Sequence, residues 1–354
     1  MRILLITIIL TANLSHPLFA KIASVIGDPL SKEIYFEVNK DTKNYPASLT
    51  KIMTLYIIFD QLAQKRLNLN DRVYFSKHAT YQQPSKLGIA EKDFITVDEL
   101  IDSLIVKSAN DSAIAIAEKI SGNEKEFVIK MNEYAKVLDL QNTNFANPHG
   151  LPNRSNLSTA YDIFKLSSKI IIDFPEHLHR FKKKKIKIKG KSYKTHNTLL
   201  KKYDHYVGLK TGYTRKSGFQ ISLLSINEND YLLGIYFGGN SAKERNNKIN
   251  FLMNKYGNKD ASKNEETKKL TVKNENKGNI NYTVQTSSFK KISKSKMHIT
   301  LLKNKIKILR SFEHQIKKNG NYFISYINVI DQQTAKNLCN EIKLNKLDCL
   351  IKKS

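Results

Sequence analysis

The sequence predicts an α+β chain of two domains joined by a polar linker. Three observations predict it. Residues 47–172 carry helical periodicities, and residues 183–238 then read as a block of strands closed by a helix. Over residues 257–280 the chain turns polar and charged and has no aromatic residue, which is the composition of a linker. Beyond it lies a compact pattern in the order βαββαβ, which over about 75 residues predicts a small sandwich with helices on one sheet face. The chain has 354 residues and 40% apolar composition, ample for one large or two ordinary cores.

Residues 22–39 alternate turn signals with the apolar runs 22–26 and 34–38, and predict a hairpin. Pro46 precedes Ser48-Leu-Thr-Lys-Ile-Met-Thr-Leu-Tyr-Ile-Ile-Phe, a buried helix beginning near the serine. Residues 97–121 hold two helical patterns interrupted around Ser108-Ala-Asn-Asp, and residues 124–138 a third, amphipathic one. Thr159-Ala-Tyr-Asp162 resembles a capping box with Asp in place of Glu or Gln, and opens a helix through Ile172. Strands follow at 184–189, 206–211, 218–224 and 231–237, with a helix at 242–256. After the linker the expected elements are a strand at 282–289, a helix at 293–303, strands at 307–316 and 322–329, a helix at 331–344 and a strand at 347–351.

The N-terminus has the pattern of an export signal over residues 1–20. Arg2 supplies the positive start, residues 3–10 are apolar apart from Thr7, and His16-Pro17-Leu18-Phe19-Ala20 ends on a small residue. An uncleaved membrane anchor is the alternative, but the run is short against the roughly 20 residues a bilayer needs. Export places the mature chain in the periplasm. There the two cysteines, Cys339 and Cys349, are free to pair. Their close spacing favours a disulfide over two buried thiols. The formal charge of +27 would suit an anionic polymer. Its lysines are spread along the chain with many Asn and Ile, however, so a compositional bias explains most of it. Export and the absence of any zinc-finger or RNA-binding signature argue against nucleic acid. His177-Leu-His179 lacks a third ligand and His149 sits in an Asn-Pro-His-Gly turn, so neither a metal nor a cofactor is expected.

Three short motifs carry chemistry: Ser48-Leu49-Thr50-Lys51, Ser108-Ala109-Asn110 and Lys210-Thr211-Gly212. A serine hydroxyl is a weak nucleophile and needs a base within hydrogen-bond reach. Positions i and i+3 of a helix share a face, so Ser48 and Lys51 would face one cavity, with the helix N-terminus favouring an oxyanion. Burial and a neighbouring cation such as Lys210 would lower the lysine's pKa toward that of a base. Ser108 could shuttle a proton and Asn110 hold a substrate amide. Lys210 and Thr211 end a strand that could pair with an extended peptide and bind its carboxylate, while Gly212 admits close backbone approach. Each motif alone has an ordinary reading as a helix start, a cap or a strand end, and for the first two that reading outweighs the catalytic one. Their joint occurrence inside one exported domain shifts the reading to catalysis.

The trio is an established signature of penicillin-binding proteins and class A β-lactamases, an association that spacing alone does not yield. Residues 22–256 resemble the D-alanyl-D-alanine carboxypeptidases among the low-molecular-mass penicillin-binding proteins. The resemblance extends to Tyr45-Pro-Ala-Ser-Leu-Thr-Lys-Ile-Met-Thr54, Pro84-Ser-Lys-Leu-Gly88, Ile105-Val-Lys-Ser-Ala-Asn-Asp-Ser-Ala113, Phe145-Ala-Asn-Pro-His-Gly-Leu151 and Gly208-Leu-Lys-Thr-Gly-Tyr-Thr214. It implies a β-lactamase/transpeptidase-like fold over 21–256, an antiparallel sheet flanked by helices plus a helical subdomain. It also implies Ser48 as acylated nucleophile, Lys51 as base, Ser108 as proton relay and Asn110 as orienter of the substrate amide. Lys210 and Thr211 would hold the carboxylate, and the N–H groups of Ser48 and Tyr213 would form the oxyanion hole. His196-Asn197 resembles a segment bordering the cleft. Ala109 stands where the family often has Gly, and the family's usual β-rich C-terminal domain and anchoring tail have no counterpart here.

Residues 281–354 resemble a sporulation-related repeat domain, through Tyr282-Thr-Val-Gln-Thr-Ser-Ser-Phe289, the βαββαβ order and the cysteine pair. That implies binding to peptidoglycan glycan strands through the sheet face; a spacer is the bland alternative. The combined expectation is a serine carboxypeptidase acting on peptidoglycan stem peptides, with β-lactams as covalent inhibitors. A DD-endopeptidase would use the same residues. A β-lactamase fits less well, since residues 147–158 lack the deacylating glutamate of class A enzymes, and a catalytically dead wall-binding factor would not need every motif residue.

Overall fold

The computed structural model describes residues 21–227, 230–257, 282–306, 309, 312–329, 332–344 and 347–353. The expected export signal and the linker from residue 258 lie outside the described residues. The first unit is built on a five-stranded antiparallel sheet in the order β2-β1-β9-β8-β7. β1 (Ala23–Gly27) and β2 (Ile34–Val38) form the expected hairpin, and β7 (Tyr206–Thr214), β8 (Gly218–Asn227) and β9 (Asp230–Gly239) form a meander that joins it along β1. β7 is therefore an outer strand, and one of its edges has no partner in the sheet.

The sheet's two faces follow the period-2 alternation of its strands. Val207, Leu209, Leu224, Leu233, Ile235 and Phe237 enter the main core, packed with the helical subdomain. Tyr206, Ile221, Leu223, Leu232 and Tyr236 point the other way, onto Ile249 and Met253 of the helix Ala242–Gly257. The helices on the main-core side are α1 (Lys51–Ala63), α2 (Lys77–Thr80), α3 (Val97–Asp102), α4 (Asn110–Ser121), α5 (Glu124–Val137) and α6 (Ala160–Asp173), with Ala242–Gly257 as α7. α1 is apolar on nearly every side, as a helix running through a core must be. Thr159 caps α6 by accepting from the Asp162 N–H. The sequence did not reveal the short ladders β3 (Arg72–Tyr74) with β4 (Phe94–Thr96) and β5 (Lys185–Ile188) with β6 (Lys191–Lys194), apart from β5 itself.

The C-terminal unit has the expected order: β10 (Tyr282–Phe289), α8 (Ile292–Lys305), β11 (His314–Asn319), β12 (Tyr322–Val329), α9 (Gln332–Leu344) and β13 (Leu350–Lys353). Its sheet runs β11-β12-β10-β13, and it has its own core around Val284, Leu302, Ile327, Leu338 and Ile342. Two strands begin later than expected. The strand placed at 307–316 begins at His314; residues 307, 308, 310 and 311 lie outside the described residues, and Leu309 fills the core of this unit with Ile306. The strand placed at 347–351 begins at Leu350, because Cys349 is tied back to Cys339 on α9 in a disulfide with Cα atoms 5.5 Å apart.

The turn carrying Gly150 braces the start of α1. Gly150 has φ +85°, and a Cβ there would lie 1.8 Å from the Ala47 carbonyl oxygen. Neither the left-handed backbone nor the backbone contact can yield cheaply. Gly150→Ala should cost about 3 kcal/mol or more of stability, read as a lowered urea midpoint with an unchanged slope. A loss under 0.5 kcal/mol would show that the brace is slack.

Candidate active site

Ser48 lies in a 3-10 turn, Ala47–Thr50, that runs directly into α1 at Lys51. The serine thus precedes the helix by one tight turn, and it still shares a side with Lys51: the lysine Nζ is 3.3 Å from Ser48 Oγ. Lys51 is fully buried. Its Nζ also donates to Asn110 Oδ1 at 2.7 Å and to the His149 carbonyl oxygen at 2.6 Å. Those two partners can only accept. The third, more distant one is a hydroxyl, which can donate. A neutral amine satisfies this geometry fully, with two N–H groups given to the acceptors and the lone pair left for the serine O–H. Burial, then the nearby Lys210 charge, hold the Lys51 pKa well below its ordinary value, with Asp111 opposing them.

Ser108 ends a π-helical turn, Ser103–Lys107, in the left-handed conformation (φ 62°). That kink is what interrupts the two helical patterns and lets α4 restart at Asn110. The Ser108 Oγ is buried and has no hydrogen-bond partner among the described residues, although it lines the cleft. A buried unpaired hydroxyl carries a desolvation cost, which a substrate group could relieve. Asn110 is fixed on both sides: its amide nitrogen donates to the Gln83 carbonyl and its oxygen accepts from Lys51. Behind it, Asp111 accepts from the backbone N–H groups of Leu87, Gly88 and Ser112. It thereby ties the Pro84–Gly88 loop to α4. Burial raises its pKa against these hydrogen bonds.

On the opposite wall, β7 passes close to Ser48. A Cβ at Gly212 would meet the Ser48 nitrogen at 3.2 Å and the Pro46 oxygen at 3.3 Å, so glycine allows the strand edge and the nucleophile turn to approach. Lys210 is buried, with its Nζ donating to the Thr211 carbonyl. Burial first, and Arg245 second, lower its pKa to about 7. Thr211, Gly212 and Tyr213 line the cleft with Ser48, Ser108 and Asn110, and the exposed Tyr213 ring stacks on Phe219 at 4.1 Å. The cleft encloses about 460 Å³. All eight candidate residues lie within or directly beneath it. No His, Cys, Asp and Glu grouping among the described residues could hold a metal.

Two contributors were not legible as such. Arg245 on α7 lines the cleft and is held by the Gln220 carbonyl and the Asn246 side chain. Only the packing of α7 under the sheet brings it there, and no local motif signals it. His149, read as an unremarkable turn residue, supplies the carbonyl that holds Lys51. Its Nδ1 accepts from the Leu151 N–H, and burial, Lys51 and His78 push its pKa down to about 3. His196 does border the cleft as expected, its pKa lowered to about 4 by burial and then by Lys210, Lys107 and Arg245.

A family model described as D-alanyl-D-alanine carboxypeptidase, peptidase S11, matches residues 13–238. The chain belongs to this family. It is 33% identical over 248 residues to the D-alanyl-D-alanine carboxypeptidase DacF of Bacillus subtilis, a match covering 68% of this chain and 62% of the relative. The chain spans about three fifths of the length of the curated relatives it matches. Among solved structures, penicillin binding protein 5 from Haemophilus influenzae is 32% identical with a TM-score of 0.63, covering 65% of this chain and 69% of that one. Penicillin-binding protein D2 from Listeria monocytogenes, solved in an ampicillin-bound form, is 26% identical with a TM-score of 0.61, covering 66% and 95%. The fold of the first unit is thus the penicillin-binding one.

Burying two lysines costs stability, and the cost depends on pH. An unfolded Lys210 titrates near 10.5 and the folded one near 7, so the folded state loses stability as pH falls from about 10.5 toward 7. Lys210→Met should therefore be more stable than the parent at pH 6, on the order of 2–5 kcal/mol. The gain should shrink toward pH 10. Urea denaturation across that range tests it, and a gain independent of pH would refute the shift.

Proposed function

We propose that this protein is a serine-type D-alanyl-D-alanine carboxypeptidase that removes the terminal D-alanine of peptidoglycan stem peptides. The observation that carries the reading is the Lys51 amine, buried, placed against Ser48 Oγ and already matched to two pure acceptors. Lys51 takes the proton as Ser48 Oγ attacks the carbonyl between the two D-alanines. The developing oxyanion is received by the Ser48 and Tyr213 N–H groups. Asn110 orients the substrate amide, and Ser108 passes the proton to the leaving amine, so free D-alanine departs and an acyl ester remains on Ser48. Water then hydrolyses the ester, with Lys51 again accepting a proton. Lys210 and Thr211 hold the substrate carboxylate, which offsets the cost of the Lys210 charge that burial disfavours. Arg245 adds a second positive charge nearby. A β-lactam carries a carboxylate and a strained amide in place of the same groups and would acylate the same serine.

The organisation proposed with it is an export signal over 1–20, a catalytic domain over 21–256, a linker over 257–280 and a glycan-binding domain over 281–354, working in the periplasm. No helix among the described residues is long and apolar enough to cross a membrane. Support for the last domain is its sheet face opposite the helices, uncovered among the described residues, where Gln285, Tyr326, Asn328 and Lys317 border a hollow of about 570 Å³.

Intact mass spectrometry after penicillin treatment should show one adduct on the parent and none on Ser48→Ala. Lys51→Ala should lower the acylation rate by at least about a hundredfold, the usual scale of a general base. Lys210→Ala should mainly raise the concentration of substrate needed for half-maximal rate. An adduct on Ser48→Ala, or parental rates in Lys51→Ala, would remove these roles.

A fragment beginning at Lys277 should melt cooperatively and co-sediment with isolated sacculi, more strongly once amidase has stripped the stem peptides. If it stays in the supernatant with both preparations, the C-terminal unit serves another purpose and only the catalytic half stands.

A further inference from the structure

We infer that the cleft selects a negatively charged side chain on the residue just before the D-alanyl-D-alanine pair, through Arg154 and Lys216. The inference rests on the carboxypeptidase reading above and adds the substrate's chemical class. Lys210, Thr211, Gly212, Tyr213 and Thr214 follow one another along the outer strand β7. With the substrate carboxylate at Lys210 and Thr211, and the reacting carbonyl over Ser48 beside Gly212, the rest of the peptide must leave past Thr214. There, Gly150, Leu151 and Thr214 form the cleft wall and at the same time bound a second, smaller hollow of about 80 Å³.

The rim of that hollow is cationic. Arg154 reaches it from the loop after the Gly150 turn, and Lys216 from the turn joining β7 to β8. Both are exposed, and no Asp or Glu lies within ion-pair distance of either among the described residues. Two unpaired cations on separate elements thus converge where the upstream residue of the substrate would pass. The flanking surface has no aspartate or glutamate in the hollow's lining to offset them. A carboxylate entering between them gains attraction from both, whereas an ammonium is repelled by both. The stem peptides this site fits are those with a free carboxylate on that side chain, as opposed to those with lysine there.

Three acetylated tripeptides, X-D-Ala-D-Ala with X as Glu, Gln or Lys, test this by D-alanine release at low ionic strength. The expected order of kcat/KM is Glu, then Gln, then Lys, with Glu about tenfold above Lys, the scale of exposed charge pairs. The spread should collapse in molar salt. In the Arg154→Gln, Lys216→Gln double variant the Glu peptide should fall to the level of the Gln peptide, and penicillin labelling of Ser48 reports that the variant is folded. Equal rates for the three peptides with the unaltered enzyme overturn the inference and leave the carboxypeptidase reading intact. Release from none of them overturns the reading on which it rests.

Discussion

A lysine amine held in the core against a serine hydroxyl is the constraint around which the rest of this structure is arranged. An amine can be left there only if its hydrogens are taken up and its charge is disfavoured, and each neighbouring element contributes to one of those ends. α4 delivers the Asn110 oxygen, the Gly150 turn delivers the His149 carbonyl, and the 3-10 turn before α1 delivers the serine. Those acceptors come from positions 59 and 98 residues away in the chain. The site therefore exists only when the helical subdomain and the sheet are packed together.

The second buried lysine works in the opposite sense. Lys210 has one backbone acceptor and a guanidinium nearby, so its charge is held at a cost while the cleft is empty. A ligand carboxylate would relieve that cost. One lysine kept neutral by burial and the Lys210 charge, with acceptors for its N–H groups, and another left short of a counter-ion thus divide base and binder between two residues of the same type. The division follows from the surroundings and not from residue identity, since both are buried. The unpaired hydroxyl of Ser108 belongs to the same pattern of groups left unsatisfied within the cleft.

Much of this was legible in the sequence because its determinants are local. The strands of the meander, the capped helix α6 and the βαββαβ order declare themselves through period and turn residues, and the three motifs lie on contiguous segments. The kink at Ser108 was visible as an interruption between two helical patterns. What stayed hidden depends on contacts between distant segments. Arg245 is an ordinary helical arginine until α7 packs under the sheet, and His149 acts through a backbone atom that no side-chain pattern reports. The last strand begins late because the cysteine bridge at Cys349 overrides strand propensity.

The central claim is that Lys51 rests as a neutral amine accepting a hydrogen bond from Ser48. Neutron diffraction from deuterated crystals near pH 7.5 reads it directly. The account predicts two deuterons on the Lys51 nitrogen, directed at the Asn110 oxygen and the His149 carbonyl, and a Ser48 deuteron directed at the nitrogen. Three deuterons on Lys51, one of them pointing at the serine oxygen, would contradict it.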